Sequence, residues 1–158
     1  MTEGHCSSTP DRAAAPVTTP DHELHVVRPA LPSAPRAVRR ALRDWLVEWS
    51  WPDDDLDDVV AAVDEAVSNV VDHAYRQQPE PGDVEVRAHV VVEDGHRLVV
   101  VTVADHGRWR PVPPDPGHRG RGLHMMSTCV ATMHIEQGGQ GTSVTLTSAP
   151  VAVPEPVR

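Results

Sequence analysis

Apolar positions along the chain follow two rhythms. Between residues 33 and 51, Val38, Ala41, Leu42, Trp45, Leu46 and Trp49 recur at helical spacing, while Arg36, Arg39, Arg40 and Arg43 fall on the other side. This spacing predicts a helix with Ser33 as its N-cap and Pro52 as its stop. The arginine stripe reads as a solvated face, with a docking surface for an acidic partner as the lesser alternative. A second helix is expected from about Asp53 to Gln77, opened by Asp53, Asp54 and Asp55 at the positive end of its dipole. On a wheel of about 100° per residue, Leu56, Val59, Val60, Val63, Val67, Val70, Val71 and Ala74 gather on one side. Glu65, Asn69 and His73 gather opposite, with Asp72 beside them. Spacing alone makes this an amphipathic helix with a wet face, so any function for the polar line has to come from elsewhere in the chain.

The second rhythm has period two. "GDVEVRAHVVVED" and "RLVVVTVAD" alternate or run apolar with Val and Thr, and Asp94-Gly95 between them is a hairpin signal. "HELHVVRP", residues 22 to 29, fits a short first strand. After a Pro- and Gly-rich segment from His106 to His118, "GRGLHMMSTCVATM" reads as a helix entered through glycines. "HIEQ" and "TSVTLTS", joined by "GGQG", read as a closing hairpin. There is no internal repeat. Residues 1–21, rich in Pro, Ser, Thr and Ala without periodicity, are expected to be a flexible tail. Residues 22–149 then form one domain and 150–158 a short C-terminal tail. The expected fold class is α+β, a two-layer sandwich of one mixed, mostly antiparallel sheet with helices on one face.

Composition narrows the functional classes. The 158 residues suffice for one domain with a core, and a formal net charge of −9 argues against direct nucleic-acid binding. No apolar run approaches the ~20 residues of a membrane span, and the N-terminus does not resemble a signal peptide. Cys6 and Cys129 lack metal-type spacing, which favours a reduced, cytoplasmic protein. All 14 basic residues are arginine, which removes P-loop and Schiff-base lysines. Ile135 is the only isoleucine and Asn69 the only asparagine, as in a GC-rich gene. The ten histidines are scattered without ligand spacing and read as surface residues. No Gly-x-Ser-x-Gly elbow or Cys–His signature supports a hydrolase. Trp45, Trp49 and Trp51 read as core and rim rather than a platform for bases.

Three further segments change the odds on the polar line. "VVVTVADHG" ends a strand in Asp105-His106-Gly107: a carboxylate that can accept from an exocyclic amine, followed by a glycine that admits a ring close to the backbone. "GHRGRGLHMM" sets Gly117, Gly120 and Gly122 before a helix, where backbone N–H groups can meet phosphate and Arg119 and Arg121 add charge. "GGQGTSVTL" places Gly141 and Thr142 at the start of the last strand. Each is weak alone.

Together and in order, these pieces resemble the ATP-binding (Bergerat, GHKL) fold of gyrase-type ATPases, Hsp90, histidine kinases and anti-sigma-factor serine kinases. "DEAVSNVVDHAY" resembles the N-box, "DHG" the adenine-binding Asp-x-Gly, "GRGL" the glycine-rich lid end and "GTSV" the last nucleotide box, over roughly Leu24 to Thr147. The resemblance implies that Asn69 coordinates Mg2+ and that Glu65 is the general base. It also implies that Asp105 and Gly107 bind adenine with help from Thr142. Arg119, Gly120, Arg121, Gly122 and Leu123 would then close over the ATP phosphates. His73 reads as structural ahead of any nucleotide contact. The chain is too short for a gyrase transducer, and no phospho-accepting histidine helix precedes the domain. It therefore resembles the stand-alone anti-sigma-factor serine kinases of actinobacterial type. That implies a serine-bearing, STAS-type anti-anti-sigma partner, a sigma factor, and a homodimer as one assembly open to it. One departure stands out: Trp109 replaces the second glycine of the usual Asp-x-Gly-x-Gly, and Pro111, Pro113, Pro114 and Pro116 stiffen the lid. The alternative is a non-catalytic, ATP-binding or ATP-indifferent protein-binding module.

Overall fold

The computed structural model describes residues 23–108 and 120–154. The alternating Val-rich segments form strands β2 (Asp83–Glu93) and β3 (His96–Asp105), joined at Asp94-Gly95. Both turn residues have positive φ, 48° and 75°, the twist that lets a two-residue turn follow the strands. Strand β1 (Leu24–Pro29) pairs with β2, β5 (Gly141–Thr147) with β3, and β4 (Thr132–Gly138) with β5. The order is β1-β2-β3-β5-β4, and every pairing among the described residues is antiparallel. Beyond β5, β6 (Val151–Ala152) returns to β3, so part of the segment expected as a C-terminal tail joins the sheet.

Period two puts Val84, Val86, Ala88 and Val90 of β2 on the same face as Val99, Val101 and Val103 of β3 and Val144 and Leu146 of β5, all buried. The helix layer covers this face with α1 (Ala34–Glu48), α2 (Asp53–Asn69) and α3 (Gly120–Cys129). Helix α2 lies in the middle of that layer, packed on both α1 and α3. Helix α3 stops at Cys129, and Thr132 already begins β4, so the expected helix end at Met133 is too long. Met133 instead lies opposite Leu146 in the sheet.

The two ends of α1 correct local expectations. Ser33 occupies the N-cap position, but its backbone is already helical and its hydroxyl makes no capping bond. The C-terminus is set by tertiary contacts rather than by Pro52, which instead precedes α2. Ser50 takes a positive φ of 49°, and Arg97 of β3 donates to the carbonyls of Trp49 and Ser50. The guanidinium lies 4.7 Å from the Trp51 ring centroid and Arg97 is only 5% exposed, so cation–π contact and two carbonyls hold a buried charge. Trp45 and Trp51 are buried and Trp49 half-buried. Two of the four stripe arginines are engaged with α2, Arg39 with Asp64 at 3.1 Å and Arg43 with Asp57, while Arg36 and Arg40 are exposed. These exposed pairs between α1 and α2 contribute at most about 1 kcal/mol each.

Candidate functional site

The strand order brings the C-terminal end of β3 beside the start of β5, where Asp105 lies opposite Thr142. Asp105 is 3% exposed, and its Oδ1 accepts from the Gly107 N–H at 2.8 Å. Burial pushes its pKa above the ordinary carboxylate value, against hydrogen bonds from the Gly107 and Thr142 backbones that pull it back. Glycine is required at 141 on two counts: its φ is +126°, and a Cβ there would sit 1.8 Å from the Asp105 carbonyl oxygen. Gly107 is equally tight, since its Cβ would lie 2.2 Å from the Ala74 carbonyl oxygen. That same oxygen accepts from the Arg108 N–H at 2.9 Å. The loop after β3 is therefore packed backbone to backbone on the end of the second helix.

That helix is not continuous to Gln77. After Asn69 it opens into a π turn, Val70–Ala74. Its i→i+5 bonding shifts the phase of the residues that follow, so a wheel of constant step misplaces His73 and Asp72 relative to Glu65. Val70 and Ala74 remain buried in the core, Val71 and His73 are half-buried and Asp72 is exposed. Such turns recur at functional sites, and this one delivers the Ala74 carbonyl to the β3 loop.

Upstream of the turn, Glu65 and Asn69 are half-buried one helical turn apart. Neither side chain has a hydrogen-bond partner among the described residues, an unusual state for half-buried polar groups and one that leaves them free for a ligand. The Glu65 carboxylate lies against the first turn of α3, where a Cβ on Gly122 would be 2.0 Å from Oε1. The positive end of the α3 dipole thus meets that carboxylate. Gly120 opens α3, Arg121 is exposed, and Leu123 is half-buried against the core. Arg119, Trp109 and the proline-rich segment through His118 lie outside the described residues.

The structure thus gathers the sequence candidates into two groups. Asp105, Gly107 and Thr142 form one, Glu65 and Gly122 the other, and α2 with its π turn spans between them. Chemically, the first offers a buried acceptor for an amine. The second offers an uncommitted carboxylate next to helix N–H groups, with an amide oxygen of the kind hard cations accept nearby on α2. Sequence reasoning missed Tyr75, the chain's only tyrosine. Its hydroxyl donates to the Asp83 carbonyl at 2.6 Å and accepts from the His106 N–H at 3.0 Å. Burial raises its pKa, so the phenol stays protonated and able to donate. The available signal was a lone tyrosine directly after a buried helix, since a buried hydroxyl requires a partner.

A helix layer on an antiparallel sheet, with an Asp-x-Gly loop packed on the second helix and a glycine-entered third helix, defines an ATPase-type domain. The chain belongs to the histidine kinase-like ATPase domain family, whose profile matches residues 28–148. Within that family it is similar to the serine-protein kinase RsbW of Bacillus licheniformis. One RsbW sequence is 33% identical over 139 residues, covering 78% of this chain and 83% of the relative. A second from the same species is 30% identical over 136 residues, with the same coverage. The solved RsbU and RsbW domains of Rv1364c from Mycobacterium tuberculosis match with a TM-score of 0.64 and 33% identity over 81% of this chain. This chain spans 32% of that longer one.

Proposed function

We propose that the chain is a Mg-ATP-dependent protein serine kinase that phosphorylates a STAS-type anti-anti-sigma partner and binds a sigma factor in a partner switch, acting in the cytoplasm. The observation that carries the reading is Glu65: a carboxylate with no hydrogen-bond partner among the described residues, set against the glycine turn of α3 one helical turn from an Asn69 likewise without one among them. The similarity to serine-protein kinases supports it. No described helix is long and apolar enough to cross a membrane, which is compatible with the proposed location.

The donor set fits the nucleotide. Asp105, buried and acceptor-only when ionised, would take the exocyclic amine of adenine, and Gly107, whose missing Cβ lets the loop pack on the Ala74 carbonyl, holds that carboxylate through its N–H. Thr142, buried opposite Asp105, closes the same end. Asn69 would hold Mg2+ through its amide oxygen, and the N-terminal turn of α3, from Gly120 through Leu123 with Arg121 exposed beside it, would receive phosphate. Arg119 is assigned to the same task from the sequence motif. Bound Mg-ATP supplies an electrophilic γ-phosphoryl group. Glu65, set against the first turn of α3, would accept the proton of the attacking serine hydroxyl.

Calorimetric titration of Mg-ATP tests the site. Wild type is expected to bind in the micromolar range, with binding lost or sharply weakened in Asn69→Ala or with EDTA. Glu65→Gln is expected to bind ATP and fail to transfer phosphate to the partner serine. Trp109 in place of a glycine favours the binding-module alternative. That alternative prevails if ATP binds the wild type while no STAS-type partner gains phosphate.

A further inference from the structure

We propose that Tyr75 sets the purine selectivity of this site as a positioning residue for Asp105 and Gly107; the inference rests on the adenine reading above. The Asp105–His106 peptide is held from both edges. On one edge the His106 N–H donates to the Tyr75 hydroxyl at 3.0 Å. On the other, Gly141 packs so closely on the Asp105 carbonyl oxygen that no side chain fits. With both edges pinned, the backbone of Asp105 cannot rotate, and its Oδ1 remains on the Gly107 N–H. The hydroxyl is itself anchored, because it donates to the Asp83 carbonyl at the start of β2. Its ring is seated over Gly82, where a Cβ would approach to 2.3 Å. Tyr75 is 7% exposed, so its ring is held in place beneath the loop.

Selectivity follows from the direction of the carboxylate. Fixed, it accepts from the amine of adenine and repels the carbonyl at the same position of guanine. Free to swing, it does neither well. Tyr75 itself is sealed beneath the loop, so it acts through Asp105.

The test titrates Mg-ATP and Mg-GTP into the full chain as wild type, Tyr75→Phe, Asp105→Asn and the double variant, with amide hydrogen exchange followed across residues 104–108. Phenylalanine keeps the ring and removes only the hydroxyl. Tyr75→Phe is expected to bind ATP roughly tenfold more weakly, bind GTP more tightly than wild type does, and speed exchange at His106 and Gly107. In the Asp105→Asn background, Tyr75→Phe is expected to leave the ATP-to-GTP ratio unchanged, which a general structural role would not do. Equal loss for both nucleotides, or a wild-type ratio in Tyr75→Phe, overturns the role of Tyr75 alone. A wild type that binds neither nucleotide overturns the site reading, and the selectivity role with it.

Discussion

Gly122→Ala separates the positioning of Glu65 from the stability of the fold. The added methyl would lie 2.0 Å from Glu65 Oε1 and 2.9 Å from Cδ, whereas an ordinary contact is about 3.5 Å, so the carboxylate must retreat by about 1.5 Å. It can do so, because the clash is with the far end of a flexible side chain. An off-rotamer glutamate costs about 0.5–1.5 kcal/mol, while alanine gains about 1 kcal/mol over glycine within a helix. These terms nearly cancel, and the unfolding midpoint should stay within a few degrees of wild type. The rate is another matter: a 1 Å misplacement of a reacting group lowers it by roughly 10²-fold. The assay follows γ-phosphate transfer to a STAS-type partner's serine, beside calorimetry for Mg-ATP and thermal unfolding. A roughly hundredfold loss of transfer with folding intact is the expected result. Transfer at the wild-type rate would refute the argument that Glu65 acts from its place against α3.

Gly107→Ala meets backbone instead of a side-chain tip, at 2.2 Å from the Ala74 carbonyl oxygen, so it should destabilise by about 3 kcal/mol or more in denaturant unfolding. Arg97→Ala leaves the Trp49 and Ser50 carbonyls without their donor and removes the stack on Trp51, and should cost about 2–4 kcal/mol by the same measurement. Asp105 has a folded-state pKa raised by burial above the ordinary 3.8. The native state therefore holds its proton longer than the unfolded chain does, and stability falls as pH rises from 3.8 through the raised value. Unfolding midpoints against pH should show wild type losing stability relative to Asp105→Asn across that window; parallel curves would count against the buried carboxylate. Arg39→Ala, which breaks only an exposed ion pair, should shift stability by no more than about 1 kcal/mol at low salt and less at high salt.

The helices and strands were legible because their signals are periodic and local. Val38, Leu42 and Leu46 mark a helix face, Val99, Val101 and Val103 a strand face, and Asp94-Gly95 a turn, each within a short window. The site candidates were legible as ordered motifs, but their mutual placement was not. Nothing near Gly122 in the chain shows that it touches Glu65, and nothing near Gly141 shows that it touches Asp105. Local rules also failed at both ends of α1. Ser33 has a capping side chain but no capping bond, and the turn beyond Glu48 is held by Arg97 of a distant strand.

What the sequence determined by itself was the main helices and strands, their order, and the residue types able to do the chemistry, since burial periodicity and motif spacing are properties of neighbouring residues. Tertiary structure decided the rest. It converted the end of the second helix into a π turn, paired Arg39 and Arg43 with α2 carboxylates, and packed Tyr75, Ala74, Asp105 and Gly141 together around the loop after β3. The reason is that a buried polar group must find its partner wherever the fold brings one within hydrogen-bond reach. For the Tyr75 hydroxyl that acceptor–donor pair is Asp83, at the start of β2, and His106, just past the end of β3, which come together only when the two strands have paired.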